Sequence, residues 1–262
     1  MDHKVEEYVA TSALKGTEEL TSFINIDGKI IKGILQKRLN RFVVRVRVDD
    51  RILTSFLPNP GRMHELLTHG SKVFLREVVD KGRKTNYDLI GVLHGNQMVS
   101  VDSRVPNKLV LEALKNGDIT ELSGYDTIKP EYRYGHTRFD FFLANKDEVC
   151  LLEVKSCTLV KDGVALFPDA PTRRGRRHVR MLVKAKKEGY TSGVLFIVQR
   201  TDAYVLAPND EADPEFGDAL RNAFMEGVKI FAYCSEFKEA KITLKGKVKV
   251  ELNRDKAHAS HA

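Results

Sequence analysis

A two-part α/β chain is the fold class this sequence predicts: a small β-barrel first, then an α/β domain with a mixed sheet. Three observations predict it. Before residue 100 the apolar residues come in short runs broken by turn residues. After Asp102 strand-like runs alternate with helical periodicity. Across 262 residues, 42% are hydrophobic, enough for a sizeable core.

Taken in order, residues 1–22 form a weakly patterned extension, and the barrel domain is expected over 23–100. Strands are expected at 28–35, 40–48, 51–56 and 72–79. In the second of these Val44, Val46 and Val48 alternate with Arg45 and Arg47, so the valines face a core and the arginines face outward. A barrel of the oligonucleotide-binding (OB) type is one option among several for such short strands. The α/β domain is expected over 101–254, starting with a helix at 107–115 stopped by Gly117. Strands follow at 138–143, 149–155, 193–200 and 203–207, a helix at 216–225, and a last strand at 228–234. Between the second and third of these strands lies a helix over 172–188, with Thr172 as N-cap and Gly189 as its stop. Residues 255–262 read as a polar tail.

Composition narrows the function. Charged residues make up 30%, and no run of about 18 apolar residues could span a bilayer. The first 15 residues lack the apolar stretch of a signal peptide, so a cytoplasmic protein without membrane contact is expected. The three cysteines show no metal-binding or redox spacing, and Cys150 and Cys234 sit in apolar runs as small core residues. No Gly-rich phosphate-cradling loop is present, and no small-molecule cofactor is indicated. Lys plus Arg number 43 against 36 Asp plus Glu, a net +7 that matters only where it is clustered.

The chemistry concentrates in the hairpin at 138–155. Asp140 lies on its first strand; Glu153 and Lys155, two apart on the second, share one face. Two carboxylates suit Mg²⁺ or Mn²⁺ bound together with a phosphate, and a lysine beside them suits the charge that develops in phosphodiester hydrolysis. The competing reading is a structural ion pair of Asp140 and Lys155 with Glu153 exposed. The following helix carries Arg173, Arg174, Arg176, Arg177, Arg180, Lys184, Lys186 and Lys187, offset nearby only by Glu188. Arginines in a first helical turn oppose the macrodipole, which points to phosphate binding rather than a solvated face. His178 in this run is a further phosphate contact or an ordinary surface residue, and Arg41, Arg45, Arg47 and Arg62 would extend a DNA path onto the barrel.

Several stretches in this order resemble the sugar fermentation stimulation protein A (SfsA) family. They are Asn40-Arg41-Phe42, Pro58-Asn59-Pro60-Gly61-Arg62-Met63 with Glu65-Leu66-Leu67, Arg138-Phe139-Asp140, and Leu152-Glu153-Val154-Lys155-Ser156-Cys157-Thr158-Leu159. Ala165-Leu166-Phe167-Pro168-Asp169-Ala170-Pro171-Thr172, Arg174-Gly175-Arg176-Arg177-His178 and Val198-Gln199-Arg200-Thr201-Asp202 complete the pattern, which spans about 25–235. The resemblance implies an OB-like first domain, a restriction-endonuclease-like second domain, and DNA as partner. It places the Asp and Glu-x-Lys pattern of such nucleases on Asp140, Glu153 and Lys155. Those nucleases often add an acidic residue from an earlier helix, for which Glu112 is the first candidate and Glu131 the second. Pro60 stands where the family pattern has Thr, so a hydroxyl is missing there. The expected function is a DNA-binding protein with a divalent-metal-dependent nuclease site. The alternative is a non-catalytic DNA-binding regulator of sugar metabolism genes that retains the fold.

Overall fold

In the computed structural model the described residues are 8–9, 21–80 and 82–253. The expected tail at 255–262 and most of the extension at 1–22 lie outside them. Two short strands, β1 (Tyr8–Val9) and β2 (Phe23–Asn25), precede the barrel. Strands β3 (Ile30–Asn40), β4 (Val43–Val48), β5 (Arg51–Phe56), β6 (Lys72–Glu77) and β7 (Tyr87–His94) then close on themselves. β3 pairs with β4 and β6, β4 with β5, β6 with β7, and β5 meets β7 in parallel at Phe56 and Asp88. That closed five-strand order is an OB barrel, which selects among the architectures the alternation left open. Its fifth strand, β7, with the run Leu89 to Leu93 after the buried Asp88, is absent from the expected set. Val44 and Val46 are fully buried with Leu35, Val73, Leu75 and Leu89, while Arg45 and Arg47 point to solvent as their alternation requires. Where β3 crosses β4 the strands approach closely: a Cβ on Gly33 would lie 2.5 Å from Val46.

β8 (Gln97–Ser100) leads to helix α1 (Val105–Asn116), which ends at Gly117 in the left-handed region. Next come β9 (Thr127–Tyr134), β10 (Thr137–Ala144), β11 (Val149–Cys157), and the short β12 (Val160–Lys161) and β13 (Val164–Phe167). Helix α2 (Arg173–Lys187), β14 (Thr191–Val198), β15 (Val205–Pro208), α3 (Pro214–Met225), β16 (Lys229–Lys238) and β17 (Lys241–Val250) follow. The main sheet runs β9–β10–β11–β14–β16–β17–β2, with β11, β14 and β16 parallel and its flanks antiparallel. It is the mixed sheet expected, with α1 on one face and α2 and α3 on the other.

Leu109 and Val110 of α1 pack on Leu152, Val154, Leu195 and Ile197. Val179 and Leu182 of α2, with Phe216 and Leu220 of α3, cover Leu151, Phe196 and Val198. β14 is covered on both faces, which is why it reads as an unbroken apolar run. Cys150 and Cys157 are buried, and burial pushes both thiols up to about 12, leaving them inert core residues.

Two expectations about the ends of the chain are corrected. The strand expected last is followed by β17, which pairs with β16. Residues 23–25 belong with the second sheet, not the barrel, because β2 pairs with β17. The parts are also joined by buried charge. Asp88, fully buried, accepts from Arg76 at 2.8 Å, Arg104 at 3.0 Å and Arg83. In the loop after β5 the Met63 N–H donates to Asp169 at 3.0 Å, and β8 touches β16 at Met98 and Phe237.

Candidate functional site

The hairpin places its carboxylates by coming apart. β10 and β11 pair from Ala144 opposite Val149 up to Phe141 opposite Leu152, and the pairing stops one residue short of Asp140. On its other side β10 keeps one register with β9, with Phe139 facing Tyr132 and Phe141 facing Pro130, but Glu131 between them takes φ +57° and is not paired with Asp140. The Asp140 side chain fills the opening between the strands. One oxygen accepts from the Val154 N–H at 2.7 Å, the other from Asn107 Nδ2 at 2.7 Å in the first turn of α1.

Glu153 and Lys155 share the α2-facing side of β11, as their spacing requires. Glu153 is only 4% exposed. Its Oε1 takes the Lys155 ammonium and lies 2.6 Å from His178 Nδ1, while its Oε2 is buried without a hydrogen-bond partner. Burial, then the nearby negative Glu153, holds the Asp140 carboxyl above the usual range. Burial also pushes Glu153 upward, but the charge of Lys155 and the contact with His178 outweigh it and bring it below its ordinary value.

The expected third carboxylate is not brought to this pair. Glu112 is ion-paired with Lys115 at 3.0 Å on the outer side of α1, and Glu131 with Arg138 at 3.2 Å. Among the described residues no group of three or more His, Cys, Asp or Glu side chains is gathered so as to hold a metal ion. Asn107, which α1 contributes instead, carried no signal in the sequence beyond its place in a first helical turn. Whether the pair fits a divalent cation is tested by Glu153 Oε2: a buried acceptor lacking a donor, next to a second, half-buried carboxyl, is a donor set for a hard cation.

The basic helix divides into two faces. His178 is corrected: it is 3% exposed and bonds Glu153, so it is not a surface phosphate contact. Arg176 pairs with Glu215 and, at 3.8 Å, with Asp213; Lys184 lies 3.7 Å from Glu188 and Lys187 3.1 Å from Glu226. Acids from α3 and its cap therefore neutralise cations that the sequence left offset by Glu188 alone. Arg173, Arg174, Arg177 and Arg180 are exposed and have no ion pair among the described residues. On the barrel Arg41 and Arg62 are exposed, as is Pro60. Their loops are tied by Arg38, whose guanidinium donates to the carbonyls of Asn40, Arg41, Gly61 and Arg62 at 2.6–3.2 Å. Burial, with Arg41 adding to it and Asp169 opposing it, keeps Arg38 below its ordinary value.

The chain was compared with known proteins. The family model described as "Sugar fermentation stimulation protein RE domain" matches residues 104–241, and "SfsA N-terminal OB domain" matches 37–101. The sugar fermentation stimulation protein homolog of Caldanaerobacter subterraneus is 45% identical over 227 residues, covering 87% of this chain and 99% of the relative. That of Clostridium tetani is 47% identical over 217 residues, 82% and 94% of the two chains. Among solved structures, Pyrococcus furiosus SfsA in complex with Ca²⁺ is 28% identical and superposes with a TM-score of 0.81, over 90% of this chain and 100% of that one. With a barrel and a mixed α/β sheet where the two models match, the chain belongs to the SfsA family.

Proposed function

We propose that the protein binds DNA and hydrolyses its phosphodiester bonds with the aid of a divalent cation, Mg²⁺ or Mn²⁺, in the cytoplasm. The observation that carries this reading is the buried, unpartnered Oε2 of Glu153 beside Asp140 and Lys155. The Ca²⁺ complex of the Pyrococcus furiosus relative supports a cation that prefers oxygen ligands. Asp140 and Glu153 would hold the cation. Each Asp140 oxygen already accepts one hydrogen bond but keeps a second lone pair, so Asn107 and the Val154 N–H orient the carboxylate without occupying it. When bound, Mg²⁺ or Mn²⁺ supplies a more acidic water and neutralises phosphate charge.

The remaining roles fall to the chain itself. Lys155, fixed by Glu153, puts a positive charge where the attacked phosphate gathers negative charge. Arg173, Arg174, Arg177 and Arg180 grip backbone phosphates without reading sequence, and Arg41 and Arg62 carry the path onto the barrel.

The test is purified protein incubated with single- and double-stranded DNA, with Mg²⁺, with Mn²⁺ and with chelator. Cation-dependent cleavage that disappears in Asp140→Asn and Glu153→Gln is expected. DNA binding without cleavage under any of these conditions overturns the enzymatic part.

A further inference from the structure

The buried histidine of α2 was unexplained by the phosphate-binding reading of that helix. It lies on the inward side, 3% exposed, while Arg177 and Arg180 of the same helix face solvent. Its two ring nitrogens are both engaged. Arg174 Nε lies 3.4 Å from Nε2, and Glu153 Oε1 lies 2.6 Å from Nδ1. A guanidinium can only donate, so Nε2 is the acceptor. The ring proton then sits on Nδ1 and is donated to Glu153. The Phe139 ring stands edge-on to the imidazole at 6.2 Å and 80°, which fixes its plane.

Two donors, His178 and Lys155, thus converge on one oxygen of Glu153. Of the four carboxylate oxygens on Asp140 and Glu153, only Glu153 Oε2 is left without a hydrogen bond. A carboxylate turns readily about its terminal torsion, which has a broad, two-fold profile. Without His178 on Oε1, only the Lys155 ammonium at the end of a long flexible side chain would hold that oxygen back and offer the other. A buried acceptor left unsatisfied calls for an explanation, and a cation that needs it is one.

We infer that His178 is a positioning residue for the cation site, holding Glu153 so that Oε2 is presented to the cation, and that Arg174 sets the tautomer in which it does so. The inference rests on the proposed cation role of Asp140 and Glu153. Arg174 thereby acts twice, because its side chain belongs to the exposed cationic set of α2 and lies one hydrogen bond from the histidine that orients the metal ligand.

Isothermal titration of the full-length protein with Ca²⁺ alone tests it, beside circular dichroism to verify folding. In His178→Asn the amide nitrogen falls near the Nδ1 position; in His178→Gln it falls nearer Nε2, and in His178→Leu there is no donor. His178→Leu and His178→Gln should lose on the order of 10- to 100-fold in Ca²⁺ affinity, the usual cost of losing such an outer partner. His178→Asn should stay close to the parent protein, and Arg174→Ala should show a smaller loss in the same direction. Parent-like affinity in folded His178→Gln and His178→Leu overturns the positioning role. So does His178→Asn binding as poorly as His178→Leu, which would mean the ring merely fills space. Unchanged affinity in Arg174→Ala removes Arg174 from the relay. A parent protein that takes up no Ca²⁺ overturns the cation reading itself, and the inference with it.

Discussion

Glu153 meets two cationic or donor side chains at one oxygen and none at the other, and this asymmetry frames what single substitutions should do. Glu153→Gln removes the charge with little change of volume. Cleavage is expected to fall by about 100-fold or more, the scale of losing one electrostatic partner in a reacting site, with DNA affinity retained in a filter-binding assay. Retained cleavage would point to a contaminating nuclease. Asp140, Glu153 and Lys155 were legible in the sequence because a hairpin is local: strand alternation alone puts Glu and Lys on one face. Asn107 and His178 were not, because their contacts reach across 33 and 25 residues and depend on how α1 and α2 are laid on the sheet. Nothing in the sequence marks Asn107 as an Asp140 partner, and a histidine among arginines looks like one more surface cation.

At the scale of elements, α2 has an inward side built from Val179, Leu182 and His178 and an outward side of arginines. Its bounds were legible from both ends. Thr172 accepts from the Gly175 N–H at 3.0 Å, and Gly189 takes a positive φ of 96°. Thr172→Ala should cost about 1 kcal/mol in urea unfolding, as the loss of a side-chain cap usually does. Arg177→Glu with Arg180→Glu leaves the His178 contacts alone. It should weaken binding to unrelated DNA sequences alike and flatten the plot of log affinity against log salt by about one unit per lost contact. An unchanged slope would take this face out of the interface.

Other elements were obscured for physical reasons. β9 contains Pro130, a mark of a turn or edge when read in the sequence alone. β17 does alternate, with Ile242, Leu244 and Val248 buried. Its outward lysines and Gly246 give it the composition of a polar tail, yet the period of two was there to be read.

Over the whole molecule the two parts are welded by charge at Asp88. Burial pushes its carboxyl up, but hydrogen bonds from Arg83, Arg104 and Arg76 outweigh that and bring it below its ordinary value. Its contribution is therefore complete above the unfolded carboxylate value of about 3.9 and is lost as pH falls through the lower folded one. Asp88→Asn should be less stable at neutral pH by roughly 2–3 kcal/mol, under the about 3–5 kcal/mol of a fully buried pair since the arginines are partly exposed. It should also lose part of the acid dependence below about pH 4. Urea midpoints at pH 7 and pH 3 would show both; equal midpoints for the two proteins at pH 7 would contradict the first. The two-part plan was legible because alternation changes character near residue 100, whereas the pairing of β2 with β17 joins segments far apart in the chain. That pairing has a mechanical consequence. Ile26 N–H donates to Ala240 O at 2.7 Å where the chain enters the barrel, and α1 is rooted in the second core where it leaves. The barrel is thus a loop of chain tied down at both ends, not a bead on a single string. One protease cut on either side of it would leave both pieces travelling together on a native gel and separating only in denaturant. A barrel so tied can rock against the second sheet but cannot swing away from it.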